Sequence, residues 1–231
     1  GPAWPVTVDT VVAEPVIGDV AGSHADLEIV VAGWDGTVRV FDGSGVLLST
    51  STRVMGQIAS SPALAHFDRD GFLDIAVTSR RPPGGAIPNY ACFASVLSGR
   101  GGLIDSRNVS QTASDPGHMP SPIAIGKPAE CVSGTPDGSL HALLWNYAVF
   151  AGGFVAAAPA AGDIDGDGWI EIVAPTGGDS LRCFELRTSR MGAETLWWPL
   201  YRRDAARTAA YGYEPVSGVD DGPGAATPRA S

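Results

Sequence analysis

The chain has 231 residues, 44% of them apolar and 17% charged, and its 30 glycines and 18 prolines make up about a fifth of it. That is room for one or two domains with a substantial core, but the Gly and Pro content is too high and the charge too low for a helical bundle or coiled coil. Twenty-five acidic residues against fifteen basic ones give a net charge of −10, with Lys127 the single lysine; such a surface repels nucleic acid and anionic lipid and leaves carboxylates spare for cations. No apolar run approaches the ~18 residues of a membrane span. The three cysteines are far apart and lie in no CxxC or Cys/His cluster, so they suggest neither a disulfide framework nor a zinc site.

Self-similarity organises the rest. Four segments open with a proline and a short apolar run: Pro15-Val16-Ile17, Pro62-Ala63-Leu64, Pro122-Ile123-Ala124 and Pro159-Ala160-Ala161. The prolines are 47, 60 and 37 residues apart, about 48 on average. In three repeats a polar turn then leads into a near-continuous apolar run, at Leu27–Val31, Leu73–Val77 and Ile170–Ala174. Runs of this kind suit strands buried on both faces. In the third repeat the turn is cut short and Glu130-Cys131-Val132 takes the place of the run.

Asp35-Gly36, Asp137-Gly138 and Gly178-Asp179 offer the positive φ of tight hairpins, with return strands at Thr37–Phe41, Ser139–Leu144 and Ser180–Leu186. The second repeat carries an insert from Arg80 to Asn89 and returns through Tyr90–Leu97. Each unit reads as a three- or four-stranded antiparallel meander that cannot bury both faces alone, and radial stacking solves that. The expected fold is therefore all-β: a β-propeller of about four recognisable four-stranded blades near residues 11–50, 58–105, 118–150 and 155–200. A β-sandwich is the alternative, although it does not require the polar turn to recur at one place in the unit.

The recurring turn carries the chemistry. In the fourth repeat it reads Asp163-Ile164-Asp165-Gly166-Asp167-Gly168-Trp169-Ile170-Glu171. Alternate carboxylates, a glycine at the bend and a closing carboxylate follow the logic of calcium loops, in which a hard ion takes six to eight oxygens at about 2.3–2.6 Å. Asp163, Asp165, Asp167 and Glu171 are the predicted first ligand set. The second repeat aligns without a gap and offers Asp68, Asp70 and Asp74 as a weaker set, with His66 where Asp163 stands. The first repeat keeps Asp19, Asp26 and Glu28 in a degenerate loop one residue longer, and Gly126-Lys127-Pro128 leaves no site in the third.

These residues resemble the FG-GAP or VCBS repeat family, whose propeller repeats are also found in the integrin alpha-chain head. The likeness lies in Ala161–Ala174, in the Asp35–Asp42 hairpin, in Ala3-Trp4-Pro5-Val6 as an outer strand, and in Trp198–Thr208 as a closing segment. It covers roughly residues 3 to 213, with a closing segment at 197–213 and a tail at 214–231 expected to be disordered or draped on a partner. The resemblance implies a calcium-bearing propeller in an extracellular, periplasmic or cell-surface protein, working in adhesion, ligand binding or assembly. The calcium it implies is chiefly a staple that pins strand to strand.

Cys92 and Cys183 each precede a phenylalanine on a return strand and read as buried, reduced thiols in equivalent places, with Cys131 on a central strand. His141 alternates with Leu140 and Ala142 and reads as a structural histidine with its hydrogen bonds met. Trp34, Trp145, Trp169, Trp197 and Trp198 suggest carbohydrate platforms, although packing between blades explains most of them. Arg80, Arg81 and Asn89 mark the insert as a place for partner contacts, since binding often resides on loops held by a rigid scaffold; Ser106–Pro120 is a second such loop.

An enzyme on a propeller, either a quinoprotein-like dehydrogenase or a polysaccharide lyase, is the rival class. It lacks a convergent set of His, Arg and Asp. Trp4–Thr7 reads as the outer strand of a blade whose other strands lie elsewhere, and Leu196–Leu200 as the outer strand of the fourth blade. The chain is then part of a larger propeller, with a protein partner or further blades packed on the first blade. The other arrangement is a closed four-bladed ring in which Trp4–Thr7 completes the fourth blade by pairing with Ser180–Leu186.

Overall fold

The computed structural model describes residues 4–8, 10–22, 27–85, 88–117, 119–155, 157–177, 179–190 and 195–198. Sixteen strands and no helix occur among them. The first sheet is β1 (Val16–Gly18), β2 (Glu28–Ala32), β3 (Val38–Phe41) and β4 (Leu47–Thr50), in that order. The second runs from β6 (Ala63–Ala65) through β7 (Asp74–Arg81) and β8 (Tyr90–Leu97) to β9 (Leu103–Thr112), and β5 (Gln57–Ile58) extends it at the far end of β7. The third is β10 (Ile123–Ile125), β11 (Glu130–Gly134), β12 (Ser139–Ala142) and β13 (Tyr147–Phe150). The fourth has three strands, β14 (Ala160–Gly162), β15 (Trp169–Thr176) and β16 (Ser180–Arg190). Every pairing is antiparallel.

The repeat prolines each stand one residue before an innermost strand, where a fixed φ and a missing N–H do least harm. Tight returns form where the sequence allows a left-handed residue: Gly36 has φ 84° and Gly138 φ 90°. A Cβ on Gly36 would also stand 2.5 Å from the Gly56 carbonyl oxygen of the next repeat, so the turn and its neighbour both need the glycine.

The innermost strands β6, β10 and β14 lie against one another, and the sheets stack face to face around them. One core joins the first three sheets through Val30, Val40, Leu64, Ile75, Val96 and Cys131. A second joins the third and fourth through Ile123, Val132, Leu140, Ile172 and Ala174. Each such branched side chain removed from water contributes about 1.5–3 kcal/mol.

Several strand-level expectations change. β7 runs on through Arg81, which shortens the insert to residues 82–89. Half of the supposed loop at 106–120 is strand β9, because Tyr90–Leu97 pairs along its whole length with a long fourth strand. Leu196–Leu200 is not the outer strand of the fourth sheet where it is described: Trp198 is 1% exposed and exchanges two backbone hydrogen bonds with Ala124 on the innermost strand of the third sheet. Burying an indole in the main core outweighs pairing at an exposed edge. The rest of the closing segment and the tail at 214–231 lie outside the described residues.

Candidate metal centre

In the fourth sheet the acidic loop joins β14 to β15, so Glu171 is fixed by strand pairing to Gly162 and Glu185. Glu171 is buried; its Oε2 accepts the Ile164 N–H at 2.6 Å, while its Oε1 is buried without a hydrogen-bond partner. Asp163 closes the bend by accepting N–H groups from Gly166 (2.7 Å) and Gly168 (2.9 Å). Asp165 accepts the Asp167 N–H at 3.2 Å. Oxygens of Asp163, Asp165 and Glu171 lie within 4.8 Å of one another. Two oxygens on opposite sides of a calcium ion stand about that far apart. Asp167 stands outside this group, its Oδ1 accepting the Trp169 N–H at 2.8 Å.

The second loop repeats the device between β6 and β7. Asp74 is 0% exposed; its Oδ2 accepts N–H groups from Phe67 (2.9 Å) and Asp68 (3.2 Å), and its Oδ1 is buried without a partner. Asp68, Asp70 and Asp74 offer oxygens within 4.8 Å of one another. Burial first, and then the charges of Asp68 and Asp70, push the Asp74 carboxyl up to about 6 against the pull of its two N–H donors. His66, in place of Asp163, shares a 2.7 Å hydrogen bond between Nδ1 and the Phe72 carbonyl oxygen, and its ring meets Trp197 edge-on at 5.2 Å. A buried carboxylate oxygen without a donor costs about 1–3 kcal/mol or more, and a cation in the triad would remove that cost. The residues present therefore fit a hard cation at both loops.

The other two repeats keep the strut and lose the site. Glu28 is buried and its Oε2 accepts from Val20 (2.9 Å) and Ala21 (3.3 Å), while Asp19 accepts from Gly22 at 3.1 Å. Asp26 lies outside the described residues. In the third sheet, where the loop is short, Glu130 turns to the β12–β13 turn and accepts the N–H groups of Leu144 (2.7 Å) and Trp145. Burial raises its carboxyl to about 7 despite those donors. The equivalence of Glu28, Asp74, Glu130 and Glu171 was visible in the repeats, but the switch of Glu130 to another turn was not.

The insert residues are engaged elsewhere. Arg80 pairs with Asp115 and lies over the rings of Trp34 (5.5 Å) and Tyr90 (5.7 Å), its side chain only 11% exposed. Arg81 stacks on Phe93 at 5.7 Å, and Asn89 is half-buried. All three thiols are free. Cys92 and Cys131 are buried, and burial pushes the Cys92 thiol up to about 11 and raises Cys131 too. Cys183, expected to be buried, is exposed. It is also not equivalent to Cys92: it pairs with Val173, two residues past Glu171, whereas Cys92 pairs with Arg80, six past Asp74. His141 Nε2 is buried without a partner, and burial favours the neutral imidazole. Trp198 is buried, which removes it as a sugar platform.

No family model and no curated protein matches the sequence. Among solved structures the chain is similar to BBS1N, crystallised in complex with ARL6DN and soaked with lead: 12% identity, 85% of this chain and 61% of that chain, TM-score 0.51. A mercury-soaked form of that complex gives 13%, 85%, 58% and 0.49. BamB from Moraxella catarrhalis gives 12%, 82%, 62% and 0.37. The fold is a β-propeller. The chain spans about three fifths of the length of the solved structures that it matches.

Proposed function

We propose that the chain is a non-enzymatic, calcium-binding propeller module of the FG-GAP/VCBS type, acting in an extracellular, periplasmic or cell-surface setting in adhesion, ligand binding or assembly with a protein partner. The observation that carries the calcium reading is the pair of buried, unpartnered oxygens, Glu171 Oε1 and Asp74 Oδ1, each set within an acidic triad. The interaction reading is supported by the apolar outer face of the first sheet, formed by Ile17, Ile29, Val31 and Phe41, and by the likeness in fold to BBS1N, which was crystallised in complex with ARL6DN. The ion serves as a staple: it neutralises the loop and ties the start of β15 to the end of β14.

Thermal unfolding with calcium and with chelator tests the reading. Calcium at a hundred times its dissociation constant should stabilise the fold by roughly 2.7 kcal/mol per site. Asp165→Ala should remove the larger part of that gain and Asp68→Ala the smaller part. A melting curve unchanged by chelator overturns the calcium reading.

A further inference from the structure

The two ends of the stack are complementary. Counted from the carboxylate that opens the central strand, residues one and three further on face the preceding sheet. In the fourth sheet these are Ile172 and Ala174, which pack on the third. Residues two and four further on face the following sheet; in the first sheet these are Val30 and Ala32, which pack on the second. The same count gives Ile29 and Val31 a face toward a sheet before the first, and Val173 and Pro175 a face toward a sheet after the fourth.

Both faces are open. Ile17, on the first, is 36% exposed; Leu181, paired to Pro175, is 72% exposed, and Cys183, paired to Val173, is exposed as well. The two faces therefore do not meet within one molecule.

The strands are mismatched in the same complementary way. The fourth sheet has no fourth strand among the described residues, so the outer edge of β16 has no partner among them, where β4, β9 and β13 close the other three sheets. Residues 4–8 form no strand pairing among the described residues. They lie across the open face of the first sheet, with the Trp4 indole donating to the Gly43 carbonyl at 3.0 Å. Trp4, Val6 and Val8 alternate toward Ile17, Ile29, Val31 and Phe41 over a cavity of about 460 Å³. A segment that alternates in this way beside an empty apolar space stands where the outer strand of a preceding blade belongs, and no inner strands of that blade occur among the described residues.

We infer that the occupant is the fourth sheet of a second copy of this chain. Its Val173–Leu181 face would seat on Ile17, Ile29 and Val31, and residues 4–8 would add to the outer edge of its β16, making one four-stranded blade from two chains. The same junction formed twice about a two-fold axis closes a ring of eight blades, within the usual range of four to eight. It covers both apolar faces and both edges that have no partner among the described residues, and proteins rarely leave such surfaces bare. The inference rests on the fold and not on calcium, so it is measured both with the ion and in chelator.

Light scattering coupled to size exclusion should give a particle of twice the chain mass. Cys183, exposed in the single chain, should react with a thiol reagent at least tenfold more slowly than in the Val31→Asp variant. That variant should run as a monomer with an unchanged far-UV spectrum and one fast thiol. A monomeric wild-type chain with one fast thiol overturns the inference and leaves the faces to blades outside this chain. Open-ended oligomers, or a dimer that survives Val31→Asp with Cys183 still reactive, also overturn it.

Discussion

The second and fourth loops have the same nine-residue length, and each ends on a buried carboxylate with one oxygen held by loop N–H groups and the other left bare. They differ in how the loop is closed. Asp163 can only accept, and it gathers the N–H groups of Gly166 and Gly168. His66, holding the same place, bonds the Phe72 carbonyl instead. One loop is closed by an anion, which adds to the need for a cation; the other is closed by an imidazole, which does not. The bend differs too. Gly166 takes φ 81° at no steric cost, whereas Arg69, its counterpart, is forced to φ 66°. A loop can thus keep its path and three carboxylates while losing part of its affinity.

Three measurements test that contrast. The largest effect is on pH. Asp74 ionises near 6 in the folded chain and near 3.8 unfolded, so without metal its contribution is most favourable below about 3.8 and is lost as pH rises through 6. The swing is on the order of 3 kcal/mol. Because calcium takes the ionised form, binding at the second loop should weaken below pH 6. Asp74→Asn should flatten the metal-free profile between pH 4 and 7 in denaturant titrations, and a profile equally steep in that variant refutes the assignment.

Next, His66→Asp converts the second loop toward the fourth. Calorimetric titration should show its calcium affinity rising about tenfold, or about 1.4 kcal/mol. An unchanged affinity would mean that the residue at that position does not set the difference between the loops.

The smallest effect is at Arg69. Relief of left-handed strain, about 1–2 kcal/mol, is offset by the flexibility of glycine, about 0.5–1 kcal/mol. Arg69→Gly should therefore stabilise the chain by about 0.5 kcal/mol in chemical denaturation. A loss of stability would show that the bend is not strained.

Much of the fold was legible because each blade is local. The prolines at 15, 62, 122 and 159 marked the innermost strands to the residue, and Tyr90–Leu97 was recovered with its own bounds. The acidic triads were legible for the same reason, since their spacing lies within nine residues. What the sequence hid depends on partners distant in the chain. Trp198 left the predicted outer edge for a place beside Ala124 because a core pocket between the second and third sheets accepts an indole. Arg80 looked free in a glycine- and proline-rich insert, yet Trp34, Tyr90 and Asp115 converge on it from three separate segments. Asp167 is a local exception: its oxygens fall outside the fourth-loop triad, while those of Asp70, which makes the same turn hydrogen bond to Phe72, fall inside the second.

The stacking order has a consequence for local opening. Each sheet borrows stability from its neighbours, and in a linear array that borrowing is nearly pairwise. The second and third sheets have two neighbours; the first and fourth have one. In an isolated chain, amide protons of β7 and β11 should therefore exchange with solvent most slowly, and those of β2 and β15 should exchange through cheaper, partial unfolding that spares the middle. If two chains close into a ring, no sheet is terminal, and the gradient along the chain should vanish.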